Sequence, residues 1–101
     1  MRNLIIVFIS LFTFCIGISG QQKCKLNVGS FNLRYDNEGD KDDSWAHRKD
    51  MAVSLVHFHD FDVFGIQEGL IHQVKDLVKD GTYTFVGVGR DDGKEAGEHA
   101  A

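Results

Sequence analysis

The spacing of apolar and polar residues changes period four times between Lys25 and Ala101, and each change marks an element. Lys25–Phe31 alternates, which predicts a strand with Leu26, Val28 and Ser30 on one face and Asn27, Gly29 and Phe31 on the other. It stops at Asn32. Leu33–Asp43 is dense in Asp, Asn, Glu and Gly with no apolar spacing, so it reads as a loop. From Trp45 to about Phe58 the period becomes helical, with Ser44 as N-cap and Trp45, Ala52, Leu55 and Val56 on one stripe that Met51 and Phe58 widen. Arg48 shares that stripe, so its guanidinium is aimed inward and should meet an anion or snorkel out. The run Val63–Gln67 reads as a buried strand. A second helix follows from about Leu70 to Lys79. Its apolar face is Leu70, Ile71, Val74, Leu77 and Val78, its wet face His72, Gln73, Lys75, Asp76 and Lys79, and Asp80-Gly81 is its stop. Thr82–Val88 alternates as a further strand, Asp91-Asp92-Gly93 is a turn, and His99-Ala100-Ala101 begins a return strand.

Strand, helix, strand, helix, strand is the order of an α/β fold with a parallel or mixed sheet. Two helices and three or four strands cannot cover both faces of such a sheet, so the 101 residues are expected to be part of something longer.

The N-terminus carries a different signal. Met1-Arg2-Asn3 has one cation, Leu4–Ile18 is almost wholly apolar, and Gly17-Ile18-Ser19-Gly20 supplies small residues, which matches a secretory signal peptide over 1–20 cleaved after Ser19 or Gly20. The alternative, an uncleaved anchor, wants roughly 20 apolar residues and finds fewer. Phe14 before Cys15 speaks against a lipoprotein cysteine. The reading is export to a periplasmic or extracellular space, a mature region 21–101 and no transmembrane segment after cleavage. Loss of Arg2 makes the formal charge of −4 one unit more negative, which argues weakly against unaided binding to a polyanion. Cys24 is then the one mature cysteine, so no internal disulfide is available.

Candidate chemistry sits at the ends of the first two strands. Asn32 and Glu68 terminate strands joined by one helix, and parallel neighbours would open both side chains onto the edge where α/β proteins bind ligands. An amide carbonyl and a carboxylate, completed by water, form a sparse oxygen shell suited to Mg²⁺. Plain structural roles compete with this: Asn ends strands through its own side chain, and Glu suits a helix start.

"SFNLRYDN" followed by "SWAHRKDMAVSLVHFHDFDVFGIQEGL" resembles the opening of the endonuclease/exonuclease/phosphatase superfamily, the DNase I-like proteins. The resemblance covers nearly all of the mature region, through the Ser-Phe-Asn and Gln-Glu-Gly motifs with Trp-x-x-Arg between them. It implies the N-terminal part of a DNase I-like α/β sandwich with mixed sheets, truncated at Ala101. It also implies a metal site at Asn32 and Glu68 that takes Mg²⁺ or Mn²⁺. The implied reaction is phosphoester hydrolysis, with water activated by an Asp-His system attacking phosphorus in line. The family's catalytic His, Asp-x-Asn pair and terminal Asp-His pair would lie beyond Ala101, so the chain alone is expected to be inactive. Glu98, in "GEHAA", resembles a Glu that supports a substrate-contacting His, and reads equally as an exposed strand-start acid. Arg90 could reach a phosphate, but pairing with Asp91 or Asp92 is the plainer reading.

Other features carry less. His57 and His59 read as C-terminal helix cations or surface groups, and His47 and His72 as exposed. Gly87-Val88-Gly89 lacks the third glycine and the helix of a dinucleotide loop. A nucleic acid, a phospholipid head group and a sugar or inositol phosphate all fit as the phosphoester, and no stable protein partner is implied. The competing reading is a small exported binding module without catalysis.

Overall fold

The computed structural model describes Gly20 and residues 22–101, so the signal-peptide reading of 1–20 falls almost wholly outside the described residues. Among the described residues no helix is long and apolar enough to cross a membrane.

Two strands run parallel, β1 (Val28–Asn32) and β2 (Val63–Gln67), in the register Val28↔Val63 through Asn32↔Gln67. Parallel neighbours need a long crossover, here a 3₁₀ segment, Glu38–Asp43, and helix α1 (Trp45–His59). Helix α2 (Ile71–Val78) follows β2. β1 starts three residues later than the alternation suggests, and Leu26 and Val28 are exposed while Phe31 is half-buried. The anticipated loop is ordered. Asn37 accepts from Gly39 N at 2.9 Å to open the 3₁₀ segment, and Leu33 is buried in the core.

The anticipated strand at Thr82–Val88 does not form. The segment is extended, with Tyr83 and Phe85 half-buried and Thr84, Val86 and Val88 exposed, so the alternation is present without a ladder. A strand needs a paired neighbour along its length, and the described residues supply a bridge only at Gly89, to His99. The return segment does pair. Ile66 and Ala101 exchange backbone hydrogen bonds of 2.7 and 3.4 Å, and His99 N donates to Gly69 O at 2.7 Å. This antiparallel contact beside a parallel pair makes the pairing mixed.

The core is Leu33, Trp45, Ala52, Val56, Ile66, Val74 and Leu77. On α1 the buried stripe is Trp45, Ala52 and Val56, while Met51, Leu55 and Phe58 are 68%, 43% and 82% exposed. At about 100° per residue these three sit about 60° to 120° round the helix from Ala52, on its flank rather than its inner face. Ser44 holds the N-cap position, but its side chain makes no cap bond; Asp36 Oδ1 accepts from Trp45 N at 3.2 Å instead. Trp45 Nε1 donates to Asp76 Oδ2 at 2.8 Å and so ties α1 to α2.

Gln73 corrects the reading of α2. It was expected on the wet face and is fully buried. Its Oε1 accepts from Asp36 N and Leu70 N, and its Nε2 donates to Arg34 O, each at 3.0 Å. A buried amide is tolerated when its polar atoms are satisfied, and here they hold the loop after β1 against the start of α2.

Candidate metal centre

The parallel register sets Asn32 beside Gln67, so the next residue, Glu68, leaves β2 at the same edge. Glu68 has φ 60°, a left-handed conformation that turns the chain sharply out of the strand. A side chain there costs roughly 1 kcal/mol or more of backbone strain. Gly69 follows because the space is full: a Cβ at that position would stand 3.1–3.3 Å from Leu33, Ile66 and Val74 side-chain atoms.

Asn32 and Glu68 meet. Asn32 Nδ2 donates to Glu68 Oε1 at 3.0 Å, and Asn32 Oδ1 accepts from Arg34 N at 2.8 Å. The group facing the carboxylate is therefore the amide nitrogen, not the carbonyl expected beside it. Glu68 is half-buried, and its side-chain hydrogen bond among the described residues uses Oε1. A carboxylate with a second oxygen to offer, oriented by a neighbouring amide, is a donor that fits a hard divalent cation. Asn32 Oδ1 retains a second lone pair beyond the Arg34 bond. No group of three His, Cys, Asp or Glu side chains converges among the described residues, so any shell built here is sparse in protein ligands.

A cation already lies within electrostatic reach. Arg34 donates to Asp40 from Nε and Nη2, both at 3.0 Å, and this pairing keeps the guanidinium charged more firmly than usual, with Glu68 adding to the effect. The same pairing holds the Asp40 carboxyl below its ordinary range.

Among the described residues Arg48 forms no direct ion pair, and its charge is felt by Asp40 only through space. It donates to the carbonyls of Asp43 at 2.5 Å, Leu33 at 3.0 Å and Arg34 at 3.2 Å. The Trp-x-x-Arg pair thus fastens α1 to the loop that carries Arg34, and through Arg34 N it steadies Asn32. This role has no local sequence signal, because its partners lie 5 to 15 residues away.

Glu98 lies across a recess of about 490 Å³ that Glu68, Gln67, Arg90 and His99 also line. Its partner among the described residues is Arg90, whose Nη1 donates to Glu98 Oε2 at 2.6 Å, rather than a histidine. Arg90 also pairs with Asp91 at 3.6 Å, as expected, but Glu98 is the closer partner. His99, anticipated only as part of a return strand, is buried, and among the described residues its Nε2 has no hydrogen-bond partner. The remaining four histidines stay outside the site: His72 pairs with Asp36 at 2.9 Å, His57 with Asp80 at 2.8 Å, His59 stacks on Phe61, and His47 is exposed on α1.

No protein-family model and no curated protein matches the chain. Solved structures do. A mannosyl-6-phosphatase from Bacteroides thetaiotaomicron is 46% identical with a TM-score of 0.71, over 75% of this chain and 30% of its own. An endonuclease/exonuclease/phosphatase from Bacteroides vulgatus is 43% identical with a TM-score of 0.74, over 77% of this chain and 30% of its own. A protein of that family from B. thetaiotaomicron is 46% identical with a TM-score of 0.71, over 74% and 28%. The chain belongs to the endonuclease/exonuclease/phosphatase family. It spans about three tenths of the length of those structures and corresponds to their N-terminal part. The truncated α/β fold expected from the sequence agrees with this placement.

Proposed function

We propose that this chain supplies the Asn32–Glu68 part of the metal-binding edge in an exported, metal-dependent phosphoester hydrolase. The observation that carries the reading is the 3.0 Å contact between Asn32 Nδ2 and Glu68 Oε1 at the carboxyl ends of parallel strands. Glu68 would hold Mg²⁺ or Mn²⁺ through its carboxylate, and Asn32 would fix the orientation of that carboxylate and contribute its own oxygen. The bound ion would supply Lewis-acid stabilisation of charge on the phosphoester. Glu68 supplies the negative charge that draws the cation, and Arg34, beside it, raises the positive potential that a phosphate meets on approach. Glu98 serves the same edge as a supporting group.

The substrate is a phosphoester. The relative described as a mannosyl-6-phosphatase supports a sugar phosphate within the wider set of nucleic acids, phospholipid head groups and inositol phosphates. Export rests on the signal-like sequence of residues 1–20. The 101 residues alone bind metal weakly and do not turn substrate over, in keeping with a span of three tenths of the relatives' length.

Thermal melting of the chain with and without Mg²⁺ tests the metal reading, because a ligand that binds the native state must stabilise it. A rise in melting temperature that Glu68→Gln abolishes supports it. An unchanged melting temperature in Mg²⁺ and Mn²⁺ raised far enough above the millimolar range to reveal weak binding, or a rise that survives Glu68→Gln, overturns it and favours a non-catalytic binding module.

A further inference from the structure

We propose that Arg90 is a substrate-binding residue of this edge, whose guanidinium grips the terminal oxygens of a phosphate monoester in preference to a diester. The inference rests on the metal reading of Glu68 and deepens it.

Arg90 and Glu68 line the same recess, and a short path of hydrogen bonds connects their backbones. Arg90 N donates to Glu98 O at 3.1 Å, and His99 N, next in the chain, donates to Gly69 O at 2.7 Å. The loop between them is closed on itself. Gly89 N bonds Lys94 O at 2.9 Å, Asp91 N bonds Ala96 O at 3.1 Å, and Asp92 Oδ1 accepts from Lys94 N and Ala96 N at 2.7 and 3.0 Å. Arg90 is therefore mounted on a braced turn that is itself bonded to the residue after Glu68.

Its side chain is oriented but wet. Nη1 is held by Glu98 at 2.6 Å and Nε lies 3.6 Å from Asp91, while the side chain is 70% exposed. Neither contact engages Nη2, so the guanidinium keeps donors to offer at the mouth of the recess. A surface ion pair by itself contributes little to stability, which leaves the two carboxylates a role in aiming this fork.

The count of phosphate oxygens sets the substrate class. A monoester has three terminal oxygens and a diester two. One oxygen on the ion leaves two for a guanidinium fork in the monoester and one in the diester. Two parallel N–H···O bonds are the geometry in which Arg recognises phosphate.

The test follows two titrations of the 101-residue chain by NMR. Mg²⁺ is added first and read at the Glu68 amide, then methyl phosphate or dimethyl phosphate is added and read at the Arg90 Nε–H. Methyl phosphate is expected to bind about tenfold or more tightly than dimethyl phosphate, the size of one charge-assisted bond. Arg90→Gln should erase that preference while leaving Mg²⁺ affinity unchanged, and Arg90→Lys, which keeps the charge but not the fork, should fail to restore it. Equal affinity for the two esters, no binding of methyl phosphate, or an undiminished preference in Arg90→Gln overturns the proposal while the metal reading stands. A Glu68 amide that does not respond to Mg²⁺ overturns both. Both variants change an exposed side chain, and the melting curve confirms that each remains folded.

Discussion

Asn32 and Glu68 are 36 residues apart and joined by a 3.0 Å hydrogen bond, because parallel pairing aligns the ends of β1 and β2 and Glu68 turns out of its strand in a left-handed conformation. The bond does two things at once. It satisfies one oxygen of a carboxylate that the strand delivers to a half-buried place, and it leaves the other oxygen to a further partner.

Replacing Asn32 separates these roles. Asn32→Asp sets a second carboxylate against Glu68, which should lower stability without metal by about 1–2 kcal/mol through lost hydrogen bonding and like-charge repulsion. Added Mg²⁺ should restore more than it gives the parent chain, since the pair now offers two anionic ligands. Melting curves with and without Mg²⁺ measure both effects. A variant that melts higher than the parent without metal would contradict the geometry.

Gln73 carries a larger share of stability than its position on a polar-looking helix face suggests. Gln73→Leu leaves Asp36 N and Leu70 N without their partner, removes one of the two donors to Arg34 O, and should cost about 3 kcal/mol in urea unfolding. Gln73→Glu keeps an acceptor for the two N–H groups but, when ionised, buries a charge and turns a carboxylate oxygen toward Arg34 O, so its loss at pH 7 should be at least as large and should shrink in acid, where the protonated carboxyl can donate.

Arg48→Lys preserves charge and tests shape. A guanidinium reaches the carbonyls of Asp43, Leu33 and Arg34 together, and an ammonium on a flexible stem does not. We expect a loss of about 1–2 kcal/mol in urea unfolding. The Mg²⁺-induced rise in melting temperature should also shrink, because the loop that steadies Asn32 through Arg34 N is released.

Legibility from sequence followed the range of the interactions. β2 and α2 were readable because their signals are local, a short apolar run and a helical stripe. Asn32 and Glu68 were readable at long range because strand order alone predicts that they share an edge. Gln73 was not, since two of the three groups it bonds lie 37 and 39 residues away on the loop after β1. The same holds for Arg48, whose carbonyl partners exist only once that loop has folded. Thr82–Val88 has the alternation of a strand, but alternation states which side chains face inward, not whether a neighbouring backbone is present. The outer stripe of Met51, Leu55 and Phe58 was misassigned because an apolar residue on a helix flank looks like one on its inner face until the packing direction is known.

Acid should weaken the turn that carries Arg90. Asp92 accepts hydrogen bonds from the backbone N–H groups of Ala96 and Lys94, and these hold its carboxyl below the ordinary value of 3.8. A carboxyl whose folded-state pKa is depressed stabilises the fold above its unfolded value, and the contribution drains away as pH falls through the folded one. Asp40, held down by Arg34, and Asp80, held down chiefly by the backbone N–H of Thr82, act in the same direction. The melting temperature should therefore be flat with respect to these groups near neutrality and fall below about pH 4. Asp92→Asn keeps an acceptor for the turn but removes the titration, so its melting temperature should fall less steeply over the acid range than the parent's. Parallel acid limbs for the two proteins would show that the Asp92 bonds do not favour its charged form.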